Sequence, residues 1–391
     1  STPRDTFFSN DIGRSAGDGV NSPPVTKVVC MPNIQSAALC YAGHARSWAN
    51  PILRENHVSQ LINPLRDGAH RLDVYAAIDL SCPLGGKTKQ YGMPSTCVVD
   101  SVSLSATFDA MNLSAAVLYH ASHLQYSASA RWNLTIKAFG PVTDYARIPN
   151  KTHSECENRK RAPDSSVNDF TKGISHILSQ LAKIRDCFQL ALEHEAANEP
   201  YTHIVYARPD MWFFAAVGPL SSLSTSSVEV GWCLRRAINV GINSKCKQDL
   251  SECAPLDWMN SVPRRFLPAY MNISLSLASE CYSAHDFYCT GCYRSQSTAR
   301  WGHLTGECFL DAAMIRARIP LHPTGGTVLQ QPVMLLRHID RKNAVGCCVF
   351  GKTNSTRSHH SPAIHHLIER LGGKGKSLVT VPINTSMWSR R

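Results

Sequence analysis

The chain has 391 residues, 43% of them hydrophobic and 18% charged. That excludes a disordered polyelectrolyte and leaves room for one large domain, or two ordinary ones, with a sizeable core. The formal charge of +11 admits an anionic partner such as nucleic acid, a membrane surface or a phosphorylated donor. From Arg337 onward, however, 10 Lys and Arg stand against 2 Asp and Glu, so +8 of the charge lies at the C-terminal end. Such a tail reads as solvated surface before it reads as a nucleic-acid site, and nucleic acid is not expected as a partner.

Residues 1–33 are polar and rich in Gly, Ser and Pro. They read as a stalk or linker left after removal of a signal or anchor, the only expected route to a membrane. The first strand is expected at "SAALCYA", 36–42, ending in "GHARSW", where Gly43 permits a tight turn. A helical stretch and a second strand, "LDVYAAIDL" at 72–80, follow, then a loop-rich section. The clearest helix starts near Asn168. Phe170, Ile174, Ile177, Leu181, Ile184, Phe188 and Ala191 fall on one face, with Asn168 or Asp169 as cap and Pro200 as the stop. It leads into a third strand, "HIVYA" at 203–207, interrupted by Arg208-Pro209-Asp210 before "MWFF".

Strand–helix–strand order with apolar strands predicts an α/β fold with a mostly parallel central sheet flanked by helices. Ligands of such sheets gather beyond the carboxyl ends of the strands, where Gly43 and Arg46 end one strand and Arg208 and Asp210 another. Charges there either pair with each other or face a ligand, and the local sequence leaves both open. Several motifs fail. "HEAAN" at 194–198 lacks the second zinc-protease histidine, and the "GKS" and "GGKT" stretches lack the first glycine of a phosphate loop. The four histidines of "SHHSPAIHH", 358–366, fit a solvated loop better than a metal site.

Fifteen cysteines with a single CxxC, "CTGC" at 289–292, favour disulfides over zinc, with seven cysteines crowded into 233–308. Six N-x-S/T sequons agree with an oxidising compartment: Asn112, Asn133, Asn150, Asn272, Asn354 and Asn384. The expected location is the Golgi or ER lumen, or outside the cell.

Three blocks in order, over about residues 36–322, resemble a family of GT-A-type glycosyltransferases with algal, plant, bacterial and giant-virus relatives. They are "CYAGHARSW", "YTHIVYARPDMWFF" with its preceding helix, and "HDFYCTGCYRS" followed by "GECFLDAAMIRARIPLH". Thr202-His203 departs from the family's Tyr-Asp start, and no Asp-x-Asp occurs. The resemblance implies a GT-A-like domain over 34–335, with 336–391 as a basic extension. It implies a nucleotide-sugar donor and a glycan or glycoprotein acceptor. Because the donor leaves as a diphosphate, a carboxylate-held Mn2+ or Mg2+ or an arginine clamp is required. Asp210 is the implied metal ligand, and Gly43, Arg46, Arg208 and Asp210 are the implied donor-binding residues. Asp286 or Glu307 would position or deprotonate the acceptor hydroxyl. Otherwise Asp286 is a cap or loop hydrogen bond, and Glu307 complements a helix dipole. Retention and inversion remain equally open. The alternatives are a non-catalytic carbohydrate-binding or structural glycoprotein of the same fold, a polyanion-binding module and a glycosidase.

Overall fold

The computed structural model describes residues 35–81, 99–120, 133–137, 167–195, 198–230, 233–238, 247–255, 258–279, 310, 313–322, 329, 333–339 and 344–350. The chain divides after Asn33, and all of these residues belong to the unit from Ile34 on.

β1 (Ser36–His44) opens the fold. Asn50 then caps α1 (Pro51–His57), its side chain accepting from the Ile52 N–H at 3.0 Å, with Pro51 in the first turn where its missing N–H costs nothing. α1 runs through a π-helical turn, Val58–Ile62, into α2 (Asn63–Arg66). β2 (Arg71–Asp79) follows. α3 (Ser101–Met111) is capped by Asp100 and stopped by Asn112 in the left-handed region at φ 52°. β3 (Leu113–Tyr119) and the exposed β4 (Asn133–Lys137) come next.

α4 (Val167–Glu195) starts at Val167, one residue before the expected cap. Its described face is buried as the periodicity requires, through Leu181, Ile184, Phe188 and Ala191. Each large side chain there contributes about 1.5–3 kcal/mol by leaving water. Below its end, the Glu195 carboxylate takes the Tyr201 N–H and the Arg264 guanidinium, which fixes the turn into β5 (His203–Ala207). The glutamate of the failed zinc-protease motif is thus a structural anchor. Thr202, one of the departures from the family pattern, donates both its N–H and its hydroxyl to the Ser36 carbonyl, at 2.8 and 2.7 Å.

Strands β6 (Met211–Phe213), β7 (Glu229–Val230), β8 (Cys233–Ile238), β9 (Lys247–Pro255) and β10 (Met259–Pro263) follow. After them come α5 (Leu267–Ser279), β11 (Val333–Ile339) and β12 (Ala344–Phe350). The central sheet has seven strands in the order β4-β3-β2-β1-β5-β10-β7. β4, β3, β2, β1 and β5 run parallel, and β10 and β7 add an antiparallel edge. The expected strands at 36–42, 72–80 and 203–207 are neighbours in this sheet, and α4 packs on it. One core layer, with Trp48, Phe108 and Met211, covers one face. The other layer, with Phe188, Tyr206 and Tyr270, covers the face under α4 and α5.

β6 does not continue the central sheet. It pairs with β11 in a second sheet, Phe213 opposite Val333 and Met211 opposite Leu335. Arg208-Pro209-Asp210 is therefore the corner where the chain passes from one sheet to another. β11 itself spans Val333–Ile339, on both sides of the boundary expected at 335/336.

Cys40 of β1 and Cys187 of α4 are free, buried thiols. The cysteine cluster at 233–308 contributes no described side chain. Among the described residues, no helix is long and apolar enough to cross a membrane.

Candidate functional site

The chain lays down β1 to β4 outward in one direction, then returns through α4 to place β5 on the other side of β1. Strand order reverses between β1 and β5, and crevices form beyond the carboxyl ends of strands at such a point. Gly43, His44 and Arg46 leave β1 on one side of it, and Arg208 and Asp210 leave β5 on the other.

Gly43 adopts φ 149°, and a Cβ there would lie 3.1 Å from Pro209 Cδ. Both the backbone and the space therefore demand glycine, and the ends of β1 and β5 close on each other through this contact. Arg46 holds the left-handed region at φ 38°, uncommon for a side-chain-bearing residue. Its Nη1 donates to Asp210 Oδ2 at 2.5 Å. Arg208 Nε donates to Oδ1 at 3.0 Å and Nη2 to Oδ2 at 3.3 Å.

Asp210 is thus shared by two guanidinium groups and is only 1% exposed. Among the described residues, these surroundings suit an arginine pair rather than the metal ion that the resemblance implied. Both oxygens already accept from arginines, and among the described residues no group of three His, Cys, Asp or Glu side chains could hold a metal. A described groove of about 280 Å³ lies elsewhere, between Leu192 of α4 and Leu267 and Met271 of α5. Asp286 and Glu307 lie outside the described residues. Of the segment that follows them, residues 313–316 are helical as expected.

α1 holds the corner from beneath. Asn56 bonds both backbone groups of Phe213, its amide donating to the carbonyl and its oxygen accepting from the N–H, each at 2.9 Å. His57 Nε2 donates to the Met211 carbonyl at 2.5 Å, so Nδ1 accepts from the Tyr41 hydroxyl at 3.1 Å. Burial lowers the His57 pKa to about 4 against the pull of the Met211 carbonyl and Asp210, and the ring is neutral at physiological pH.

A second cluster, which the sequence reading missed, occupies the neighbouring strand ends. Asp79 ends β2 and is 3% exposed. Its Oδ2 meets Lys183 Nζ of α4 at 2.9 Å, and Lys183 is 1% exposed. Its Oδ1 accepts from the Ser81 N–H at 2.9 Å and the Ser81 hydroxyl at 2.6 Å, and lies 3.0 Å from His120 Nδ1. Burial pushes the Asp79 pKa up, but Lys183, His44 and the Ser81 hydrogen bonds outweigh it and hold the carboxyl below its ordinary range. His44 lies between the two clusters. Burial, and then Lys183 and Arg208, lower its pKa to about 4.

Across four adjacent strand ends, the cations Arg46, Arg208 and Lys183 thus face the carboxylates Asp79 and Asp210. Arg46 Nε, His44 Nδ1 and Trp48 Nε1 are buried without a hydrogen-bond partner among the described residues. Buried donors are ordinarily satisfied, and unsatisfied ones require a reason. Lys183 was hidden in the sequence because it interrupts the apolar face of α4 between Ala182 and Ile184. The one available signal was that lysine, since a charge set among core positions of a helix needs a partner.

No family model and no curated protein matches the chain. Among solved structures it is similar to a transferase carrying two cysteine-to-serine substitutions, at 11% identity and TM-score 0.30, over 74% of this chain and 87% of that one. It is also similar to mouse xyloside xylosyltransferase 1 in its apo form, at 8% identity and TM-score 0.27, over 89% and 97%.

Proposed function

We propose that the chain is a glycosyltransferase that binds a nucleotide-sugar donor between the carboxyl ends of β1 and β5 and transfers the sugar to a glycan or glycoprotein. The observation that carries this is Arg46. Its Nη1 is committed to Asp210, while its buried Nε has no acceptor among the described residues, beside Arg208 at the switch point of the sheet. A diphosphate oxygen supplies that acceptor. Two guanidinium groups offer several N–H donors and fixed positive charge where the leaving diphosphate gathers negative charge. The donor set at Asp210 supports an arginine clamp there rather than a metal.

Titrating the protein with UDP and GDP in EDTA tests this. Binding is expected without metal and is expected to weaken as salt rises, because partly exposed charge pairs are screened. Binding that appears only on adding Mn2+ overturns the arginine clamp, and no binding of either nucleotide under any condition overturns the donor reading. Binding without turnover of any nucleotide-sugar favours the non-catalytic carbohydrate-binding relative.

We further place the chain in a secretory lumen or outside the cell. Sequon asparagines Asn112, Asn133 and Asn272 are exposed and accessible to glycosylation, which supports this. Loss of mass on treating the secreted protein with an N-glycosidase is expected, and an unchanged mass sinks the assignment.

A further inference from the structure

We propose that Gln180 recognises the donor: its side-chain amide oxygen accepts a hydrogen bond from a hydroxyl of the bound nucleotide sugar, beside the arginine pair. The proposal rests on the donor reading above.

α4 descends from the carboxyl ends of the strands. Gln180 meets Ala42 near the end of β1, whereas Glu195, at the far end of the helix, meets Tyr201 just before β5 begins. Gln180 Nε2 donates to the Ala42 carbonyl at 3.2 Å and to the Tyr206 hydroxyl of β5 at 2.6 Å. The side chain thus bridges the two strands between which strand order reverses. It also stands at the contact that closes their ends. A Cβ on Gly43 would lie 3.1 Å from Pro209 Cδ and 3.9 Å from Gln180 Nε2.

These contacts decide which way the amide points. A carbonyl oxygen can only accept, so the NH2 group faces Ala42, and its hydrogens are committed to Ala42 and Tyr206. Oε1 is left on the other branch, with no hydrogen-bond partner among the described residues. Gln180 is half-buried, and its Oε1, unlike Arg46 Nε and His44 Nδ1, is not sealed from solvent. An amide anchored through its nitrogen and open at its oxygen offers a ligand one thing, a fixed acceptor. The diphosphate is itself an acceptor and belongs on Arg46 and Arg208. The groups that flank a diphosphate in a nucleotide sugar are the ribose and the sugar, and both carry hydroxyls. A site built to bond a hydroxyl rejects the analogue that lacks it, because its own polar group is then left unpaired.

The test uses two variants of the full chain. Gln180→Met keeps the length without an acceptor. Gln180→Lys keeps donors for Ala42 and Tyr206 without an acceptor, and serves if the first variant does not fold. Titrations compare three sets of ligands: the better bound of UDP and GDP, its 2′-deoxy and 3′-deoxy analogues, and its sugar conjugates. A purely structural role lowers every affinity together and leaves their ratios alone. The expected result is a wild-type preference of about 3- to 10-fold for one hydroxyl-bearing ligand, abolished in the variant. Loss of the preference over the deoxy analogues assigns the hydroxyl to the ribose, and loss of the preference for a sugar conjugate over the bare diphosphate assigns it to the sugar. Ratios that match between wild type and variant, whether or not all affinities fall, overturn the role of Gln180 alone, as does a wild type without either preference. A wild type that binds no nucleoside diphosphate overturns the donor reading and this role together.

Discussion

Asp210→Asn is expected to lower thermal stability sharply. The substitution removes the carboxylate between Arg46 and Arg208, whose side chains are only 15% and 14% exposed, and leaves two guanidinium groups close together without their counter-ion. Breaking a buried pair from one side costs about 3–5 kcal/mol, roughly 4–7 °C in Tm for a domain of this size. The same change should increase the stabilisation given by UDP relative to wild type, because the diphosphate then replaces the missing negative charge. Thermal melts of both proteins with and without UDP check both outcomes. A variant that melts with wild type yet has lost donor binding restores the metal role implied by the sequence.

The second large effect is expected at Lys183. Lys183→Met keeps much of the aliphatic volume but strands the Asp79 carboxylate, again at about 3–5 kcal/mol. The loss depends on pH. In the wild type, Asp79 is held below its ordinary value of 3.8. Its contribution to stability is therefore present above that value and lost as pH falls through the lower folded one. Without Lys183, burial becomes the dominant influence and raises the folded pKa above 3.8, so the folded variant takes up the proton first. The gap in Tm between wild type and variant should be widest near about pH 7 and narrow towards about pH 4. Losing Lys183 also lifts the second cause of the low His44 pKa, so His44 charges earlier and narrows the gap further. A gap that is constant or widens with acid would show that the pair is not the source of the effect.

The parallel core was legible because its signals are local. Short apolar runs marked 36–42, 72–80 and 203–207 as strands, and α4 showed its buried face through the spacing of Leu181, Ile184, Phe188 and Ala191. Gly43, Arg46, Arg208 and Asp210 were found because strand ends in such sheets are where ligands gather. The structure brings these four together, with Gly43 against Pro209 and both arginines on Asp210. From the local sequence Asp210 could be paired with Arg208 or free to hold a metal. In the fold it also meets Arg46, 164 positions away, and two guanidinium groups leave a cation little to bind.

Asp79, Lys183 and His120 gave no motif at all. They come from β2, α4 and the end of β3, and their spacing along the chain carries no period. Asp79 lies inside the strand expected at 72–80, Lys183 falls between face positions of the expected helix, and His120 lies where no element was expected.

By itself, then, the sequence determined which segments bury apolar surface, their order as strand, helix and strand, and the glycine and charges at the strand ends. Those properties depend on side-chain period and backbone sterics over a few residues. The tertiary structure alone decided that the Arg-Pro-Asp corner joins two sheets and that Asp210 serves two arginines. It alone matched the buried Lys183 to Asp79, and Asp79 to His120. Strand register and the seating of α4 bring those groups within hydrogen-bonding distance, and a buried charge is tolerable only where such long-range packing supplies its partner.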